Sequence, residues 1–273
     1  MTITYFNGEF IDINDKVLPI EERGHNFGDG IYDALRVYNG KIFMLEEHLD
    51  RIFMSAGEIR LDLGRTREQL RNELLLCLEK SGEPNADIYM QATRGMATRN
   101  HLFPDCPPTL SIIVRPTTKF STSDKNGIAF YPDERWANCH IKSLNLLPNL
   151  LARQAAVERG FAEAVLVKDG FVTEGSCTSA FMVKDKSIIV TPLSKGILSS
   201  ITRMAVKAIA EKLDIPFIER HFTPEEMCEA DEVFIAGTFI EIQPITQVED
   251  KLINSGQIGE ITSKLLDGFF ELV

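Results

Sequence analysis

The chain has 273 residues, of which 44% are hydrophobic and 25% charged, and its formal net charge is −11. That is the composition of a globular protein with room for two domains of ordinary size, and so acidic a chain offers no basic stripe for a nucleic acid. No stretch approaches the ~20 apolar residues of a bilayer span, the opening residues lack an export signal, and five scattered cysteines without C-x-x-C spacing point to free thiols in a reducing cytoplasm.

Two Asn-Gly pairs, Asn7-Gly8 and Asn39-Gly40, each sit between alternating apolar runs and predict hairpins. Between them lies a glycine-rich stretch, residues 24–30, read as a connection, with the phenol of Tyr32 directly after it at the mouth of a strand. Apolar spacing predicts a helix over 45–59 with Leu49, Ile52, Phe53 and Ala56 as its buried stripe. Arg51 falls beside that stripe, where it serves either as an ion-pair partner of Glu47 at i−4 or as an anion clamp. A second helix is expected over 67–80, then a strand over 88–93. In the loop that follows, Arg99 and His101 are two residues apart, so in an extended chain they point the same way and converge on one carboxylate. After a strand over 110–114, the polar residues 118–126 read as an interdomain linker. This divides the chain into an N-terminal domain, 1–117, and a C-terminal domain, 127–273.

The second domain opens with a strand over 127–131, and another is expected to run through Trp136 to Lys142. Lys142 sits among apolar residues, and no carboxylate occurs between Glu134 and Glu158. An amine so placed tends to lose its proton, and an uncharged amine attacks carbonyl carbons. A helix follows over 148–159, with Leu151, Ala155 and Val157 as its apolar positions. A hairpin about Asp169-Gly170 runs into Glu174, a carboxylate that requires a cationic or protonated partner if buried. Ser199 and Ser200 are N-cap candidates for a helix that carries Ile201 and Thr202 and no acid in its first turn, which makes its start an anion site. A strand over 233–236 leads to Gly237-Thr238, a further donor, and a terminal helix lies within 256–273.

An amine, a carboxylate and several anion donors are the inventory that pyridoxal 5′-phosphate requires: a lysine for its aldehyde, a carboxylate for its ring nitrogen, an arginine and a helix N-terminus for its phosphate. The motifs G-H-N-F-G-D-G-I-Y at 24–32, V-Y-N-G at 37–40, H-L-D-R at 48–51, T-R-G-M-A-T-R-N-H at 93–101, I-K-S-L-N-L-L at 141–147, V-T-E-G-S at 172–176 and I-T-R at 201–203 span nearly the whole chain. On them the sequence resembles the class IV aminotransferases of pyridoxal-phosphate fold type IV, and among these the D-amino acid branch. The resemblance implies a mixed α/β, two-domain fold with the cofactor in the interdomain cleft. It implies Lys142 as the Schiff-base lysine and proton shuttle, Glu174 at the pyridine nitrogen, and Arg51, the Ile201 and Thr202 amides and Thr238 around the phosphate. Tyr32, Arg99 and His101 would hold the substrate carboxylate, the last two reaching in from the neighbouring subunit of a homodimer. The implied reaction moves an amino group between a D-amino acid and a 2-oxo acid. The alternatives are a branched-chain L-amino acid aminotransferase, an aminodeoxychorismate lyase (which usually has arginine where Leu146 stands) and a non-catalytic binding protein of the same fold. Two positions depart from the D-amino acid pattern: Arg36 stands where lysine is common, and Ser179 where asparagine is usual.

Overall fold

In a computed structural model of the protein, residues 1–117 and 126–273 are described; the expected linker, apart from Asn126, lies outside the described residues. The chain divides into two compact units, Met1–Thr118 with Ile141–Asn145, and Lys119–His140 with Leu146–Val273.

The first unit contains β1 (Ile3–Phe6), β2 (Glu9–Ile11), α1 (Arg23–Phe27), β3 (Gly30–Tyr38), β4 (Lys41–Ile42) and α2 (Leu45–Glu58). These are followed by α3 (Arg67–Ser81), β5 (Ala86–Thr93) and β6 (Thr109–Pro116). The strands form one antiparallel sheet in the order β2-β1-β6-β5-β3-β4. Both Asn-Gly turns have positive φ at both central residues, Asn7 48° and Gly8 105°, Asn39 50° and Gly40 77°, the conformation that matches the twist of the flanking strands. Ile31, Leu35 and Val37 of β3 pack with Leu49, Ile52 and Ala56 of α2 in one core, and Phe53 packs partly buried against it. The glycine-rich connection includes a short helix, α1: the Glu22 side chain accepts from the His25 N–H at its start, and Gly28 at φ 64° ends it.

The second unit contains β7 (Gly127–Pro132), α4 (Leu147–Glu158), β8 (Glu163–Lys168), β9 (Phe171–Gly175), β10 (Ser179–Lys184) and β11 (Ser187–Val190). Then come α5 (Ile201–Lys212), β12 (Phe217–Glu219), α6 (Pro224–Cys228), β13 (Glu232–Gly237), β14 (Glu241–Ile245), β15 (Gln247–Val248), β16 (Lys251–Leu252) and α7 (Glu260–Phe270). Two five-stranded sheets, β12-β11-β10-β13-β14 and β16-β15-β7-β8-β9, contribute to one core that contains Ile128, Val165 and Val172 from one and Met182, Val233 and Ile235 from the other.

Two expectations change, and the apolar positions Leu151 and Val157 of α4 prove exposed. No strand runs from Trp136 to Lys142; the Asp133 N–H closes on the Val167 carbonyl, and the Asp133 side chain then accepts from the Arg135 N–H, which turns the chain. On α4 only Ala156 is buried, while Leu147, Leu150, Leu151 and Val157 are exposed at helical spacing. The Lys142 segment, expected in the second domain, belongs to the first unit. Its backbone is stitched to β3 by Tyr32 N–H to Lys142 O at 3.0 Å, Leu144 N–H to Gly30 O at 3.1 Å and a bridge between Ile31 and Ser143. Gly30 is what permits the approach: a Cβ there would lie 2.5 Å from the Ala92 carbonyl and 3.0 Å from Leu144 Cδ1.

Candidate active site

In the first unit the lysine is half-buried, and its Nζ lies 4.2 Å from the centroid of the Tyr32 ring. Tyr32 stacks on Tyr89 at 5.8 Å, and the Tyr89 hydroxyl donates to Gln91. Burial pushes the Tyr89 phenol up to about 12, so it stays a neutral donor at physiological pH. The Lys142 backbone N–H donates to Ser55 Oγ at 3.2 Å, which ties the lysine to α2 as well as to β3.

Arg51 occupies the same helix, but its partner is Asp33 of β3, not Glu47. Nε and Nη2 donate to the two Asp33 oxygens at 2.9 and 2.7 Å, a fork-to-fork pair, and His48 Nδ1 meets Asp33 Oδ1 at 2.9 Å. Asp33, at 0% exposure, stands on the core face of β3 between Ile31 and Leu35. Burial disfavours its ionisation, yet Arg51 and His48 outweigh burial and hold the carboxyl well below the usual range. Burial pushes the His48 imidazole down from its ordinary value, against the pull of the same carboxylate. Asp33 and His48 went unassigned in the sequence, although a charged residue in the apolar alternation of Ile31, Leu35 and Val37 was a legible signal.

Arg99 and His101 meet on one ring. The Arg99 guanidinium carbon lies 4.8 Å from the centroid of Phe27, and the His101 ring centroid 5.6 Å from it. Arg23 lies 4.8 Å from the same centroid and donates to the Asn100 carbonyl at 2.6 Å. Asp29 accepts from both Arg23 and Arg94, so the start of α1 and the start of the loop share one anion. Burial works against the Asp29 charge, but the two guanidinium groups outweigh it and lower its pKa. Arg36, the departure noted above, pairs with Asp87 directly across β3 and β5.

In the second unit Glu174 is buried at the end of β9. The Arg135 Nη1 donates to its Oε1 at 2.6 Å and the Leu198 N–H to the same oxygen at 3.1 Å; among the described residues nothing donates to Oε2. Arg135 is itself clasped by Asp133, which accepts from Nε at 2.9 Å and Nη2 at 2.7 Å and takes the Thr173 hydroxyl at 2.8 Å. Burial pushes the Glu174 carboxyl above its ordinary value, and Arg135 and the Leu198 N–H pull the other way. Arg135 supplies the cationic partner that Glu174 required; the Asp133-x-Arg135 spacing, one turn after β7, was its only sequence trace.

Ile201 and Thr202 are buried at the first turn of α5. Ser200 caps the helix by accepting from the Arg203 N–H at 3.2 Å. Among the described residues no acceptor takes the N–H groups of Ile201 and Thr202, and the first turn holds no acid. That is an anion site in waiting, with the helix dipole behind it. Thr238 lies half-buried just past β13, where the chain turns toward β14.

Comparison with known proteins decides the family. The model of the amino-transferase class IV family matches residues 30–248. This chain is a class IV aminotransferase. It is 41% identical over 273 residues to a D-alanine aminotransferase of Staphylococcus haemolyticus, covering 98% of this chain and 97% of that one. To the D-alanine aminotransferase of Bacillus licheniformis it is 36% identical over 263 residues, covering 95% of this chain and 93% of that one. Among solved structures, a branched-chain aminotransferase of Thermoproteus uzoniensis with norvaline superposes with a TM-score of 0.90 at 26% identity, covering 98% of this chain and 93% of that one. A branched-chain aminotransferase of Escherichia coli gives a TM-score of 0.91 at 24% identity, covering 98% and 92%, a likeness of fold alone. The fold is therefore fold type IV.

Class IV aminotransferases work with pyridoxal 5′-phosphate. The residues of this class IV aminotransferase fit that group. An amine sits over an aromatic face for the aldehyde, a buried carboxylate keeps one oxygen without a protein donor for the ring N–H, and two amides at a helix start suit a phosphate.

Proposed function

We propose that the protein is a D-amino acid transaminase, which moves the amino group between a D-amino acid such as D-alanine or D-glutamate and a 2-oxo acid. The observation that carries this reading is the 41% identity, over nearly the full length of both chains, to a D-alanine aminotransferase. When bound, pyridoxal 5′-phosphate supplies an aldehyde that condenses with amines and a ring that accepts the electron pair of the α-carbon. On this reading Lys142 holds the aldehyde and then carries the α-proton, and the Tyr32 π-face is a favourable neighbour for the ammonium formed when the amine takes that proton. Glu174 keeps a proton on the ring nitrogen through Oε2, while Arg135 and the Leu198 N–H hold Oε1 and fix the carboxylate plane. Arg51, the Ile201 and Thr202 amides and Thr238 take the phosphate.

Tyr32, Arg99 and His101 hold the α-carboxylate of the substrate, and gathering two of the three on Phe27 supports their acting as a pair. A trap that fixes the carboxylate decides which face of the α-carbon turns its hydrogen to Lys142. We assign Arg99 and His101 to the site of a neighbouring subunit in a homodimer. The exposed Leu147, Leu150, Leu151 and Val157 stripe on α4 supports such an assembly, because apolar faces of that kind are buried in stable dimers. Among the described residues no helix is long and apolar enough to cross a membrane. Five free cysteines suit a cytoplasmic protein.

The test is the visible absorption of the loaded enzyme during titration with D-alanine and with L-leucine. Loss of the cofactor band with D-alanine and not with L-leucine is the expected result; loss with L-leucine alone would move the protein to the branched-chain group.

A further inference from the structure

A buried arginine needs a reason for its exact pose, and Asp33 supplies one. We propose that Asp33, steadied by His48, is the positioning residue that fixes the Arg51 guanidinium for the phosphate of the cofactor. The inference deepens the proposed function and rests on Arg51 being the phosphate anchor.

Three observations carry it. Asp33 and His48 are 0% and 1% exposed and Arg51 6%, so the cluster is shut away from bulk water. The contact is a two-pronged one: with Nε and Nη2 both seated on Asp33, at 2.9 and 2.7 Å, the plane of the guanidinium cannot turn about the Cδ–Nε bond without breaking a hydrogen bond. His48 Nδ1 donates to the same Oδ1 that takes Nη2, so the carboxylate is held from a second direction and from the same helix, three residues before Arg51. A purely structural role is the less economical reading. Buried ion pairs are commonly no more stabilising than apolar residues of the same volume, and the core face of β3 is otherwise Ile31, Leu35 and Val37. What a fork-to-fork pair provides and an apolar residue does not is a fixed orientation of the remaining N–H groups. An anion that binds an arginine already oriented avoids the entropy of ordering it, and loss of such an outer partner weakens binding by about tenfold or more.

The experiment compares pyridoxal 5′-phosphate with pyridoxal, which has the aldehyde and no phosphate, as probes of the full chain stripped of cofactor. Fluorescence of Trp136, the single tryptophan, reports binding without any turnover. For Asp33→Asn the expected result is a dissociation constant raised about tenfold for the phosphorylated probe and unchanged for pyridoxal. Asp33→Glu, which keeps two acceptor oxygens, restores much of the loss. Adding Asp33→Asn to Arg51→Ala weakens binding no further than Arg51→Ala alone, because the two act through one contact. If Asp33→Asn does not fold, His48→Phe reads the same hold, with a smaller loss confined to the phosphorylated probe. Equal weakening of both probes, unchanged affinity for the phosphorylated one, or additivity with Arg51→Ala would overturn the proposal. If Arg51→Ala leaves the phosphorylated probe as tightly bound as before, the phosphate anchor itself is wrong and the proposal goes with it. If Arg51→Ala weakens that probe and Asp33→Asn does not, the anchor stands and only the positioning role fails.

Discussion

Replacing Arg135 by methionine isolates the electrostatics behind Glu174. The substitution keeps a long side chain in place and removes the one guanidinium that serves both Asp133 and Glu174. The three side chains are 6%, 5% and 8% exposed, so neither carboxylate regains full hydration when the cation is lost. Removing one partner from a buried ion pair costs about 3–5 kcal/mol, because the other charge is left uncompensated. The dependence on pH is the sharper test. Asp133 is burdened by burial but held low by Arg135 and Thr173, so in the wild type it contributes stability that is present above its ordinary 3.8 and lost as pH falls. Glu174 is already raised by burial above its ordinary 4.5; a group so raised stabilises the fold below that value and loses this as pH rises through its folded pKa. Without Arg135 both carboxyls move up. The stability gap between wild type and Arg135→Met is therefore widest near neutrality and narrows as pH falls toward about 4.5. Urea unfolding of the loaded enzyme between pH 5 and 8 measures it. A gap that stays constant across that range, or widens on acidification, would mean that Arg135 acts by packing and that the electrostatic account is wrong. In the same variant Glu174 loses the cation that favours its charged form, so its kcat is expected to fall in the same direction as that of Glu174→Gln.

Three further outcomes are expected. Lys142→Ala loses transamination by several orders of magnitude while pyridoxal 5′-phosphate still binds, as absorbance of the dialysed protein would reveal; turnover within tenfold of the wild type would remove the lysine from the chemistry. Phe27→Leu takes away the ring on which Arg99 and His101 meet, and KM for D-alanine is expected to rise about tenfold with kcat and the cofactor spectrum nearly unchanged, whereas a fall in kcat at constant KM would contradict a carboxylate-positioning role. Leu150→Glu places a charge in the exposed stripe of α4, and sedimentation is expected to show dissociation to monomers; an assembly as stable as the wild type would place the interface elsewhere.

What the sequence determined by itself was local. Asn7-Gly8, Asn39-Gly40 and Asp169-Gly170 each adopt positive φ at both positions, because the conformational preference of two residues and the alternation beside them are enough to specify a hairpin. The faces of α2 and the capped start of α5 followed from helical spacing for the same reason. Contacts across long stretches of chain were not legible. Arg51 had Glu47 one turn away but pairs with Asp33, 18 residues distant, because the sheet register puts that carboxylate against the helix in a buried site. Glu174 finds Arg135 across 39 residues, and Lys142 is seated by backbone bonds to β3 that no side-chain pattern encodes. The apolar positions of α4 were legible, but Leu151 and Val157 are exposed, since periodicity says which residues share a face and not what that face meets. Motifs and turns depend on neighbours a few bonds away, whereas the partners of buried charges depend on desolvation, and only the folded chain decides which charges lose their water together.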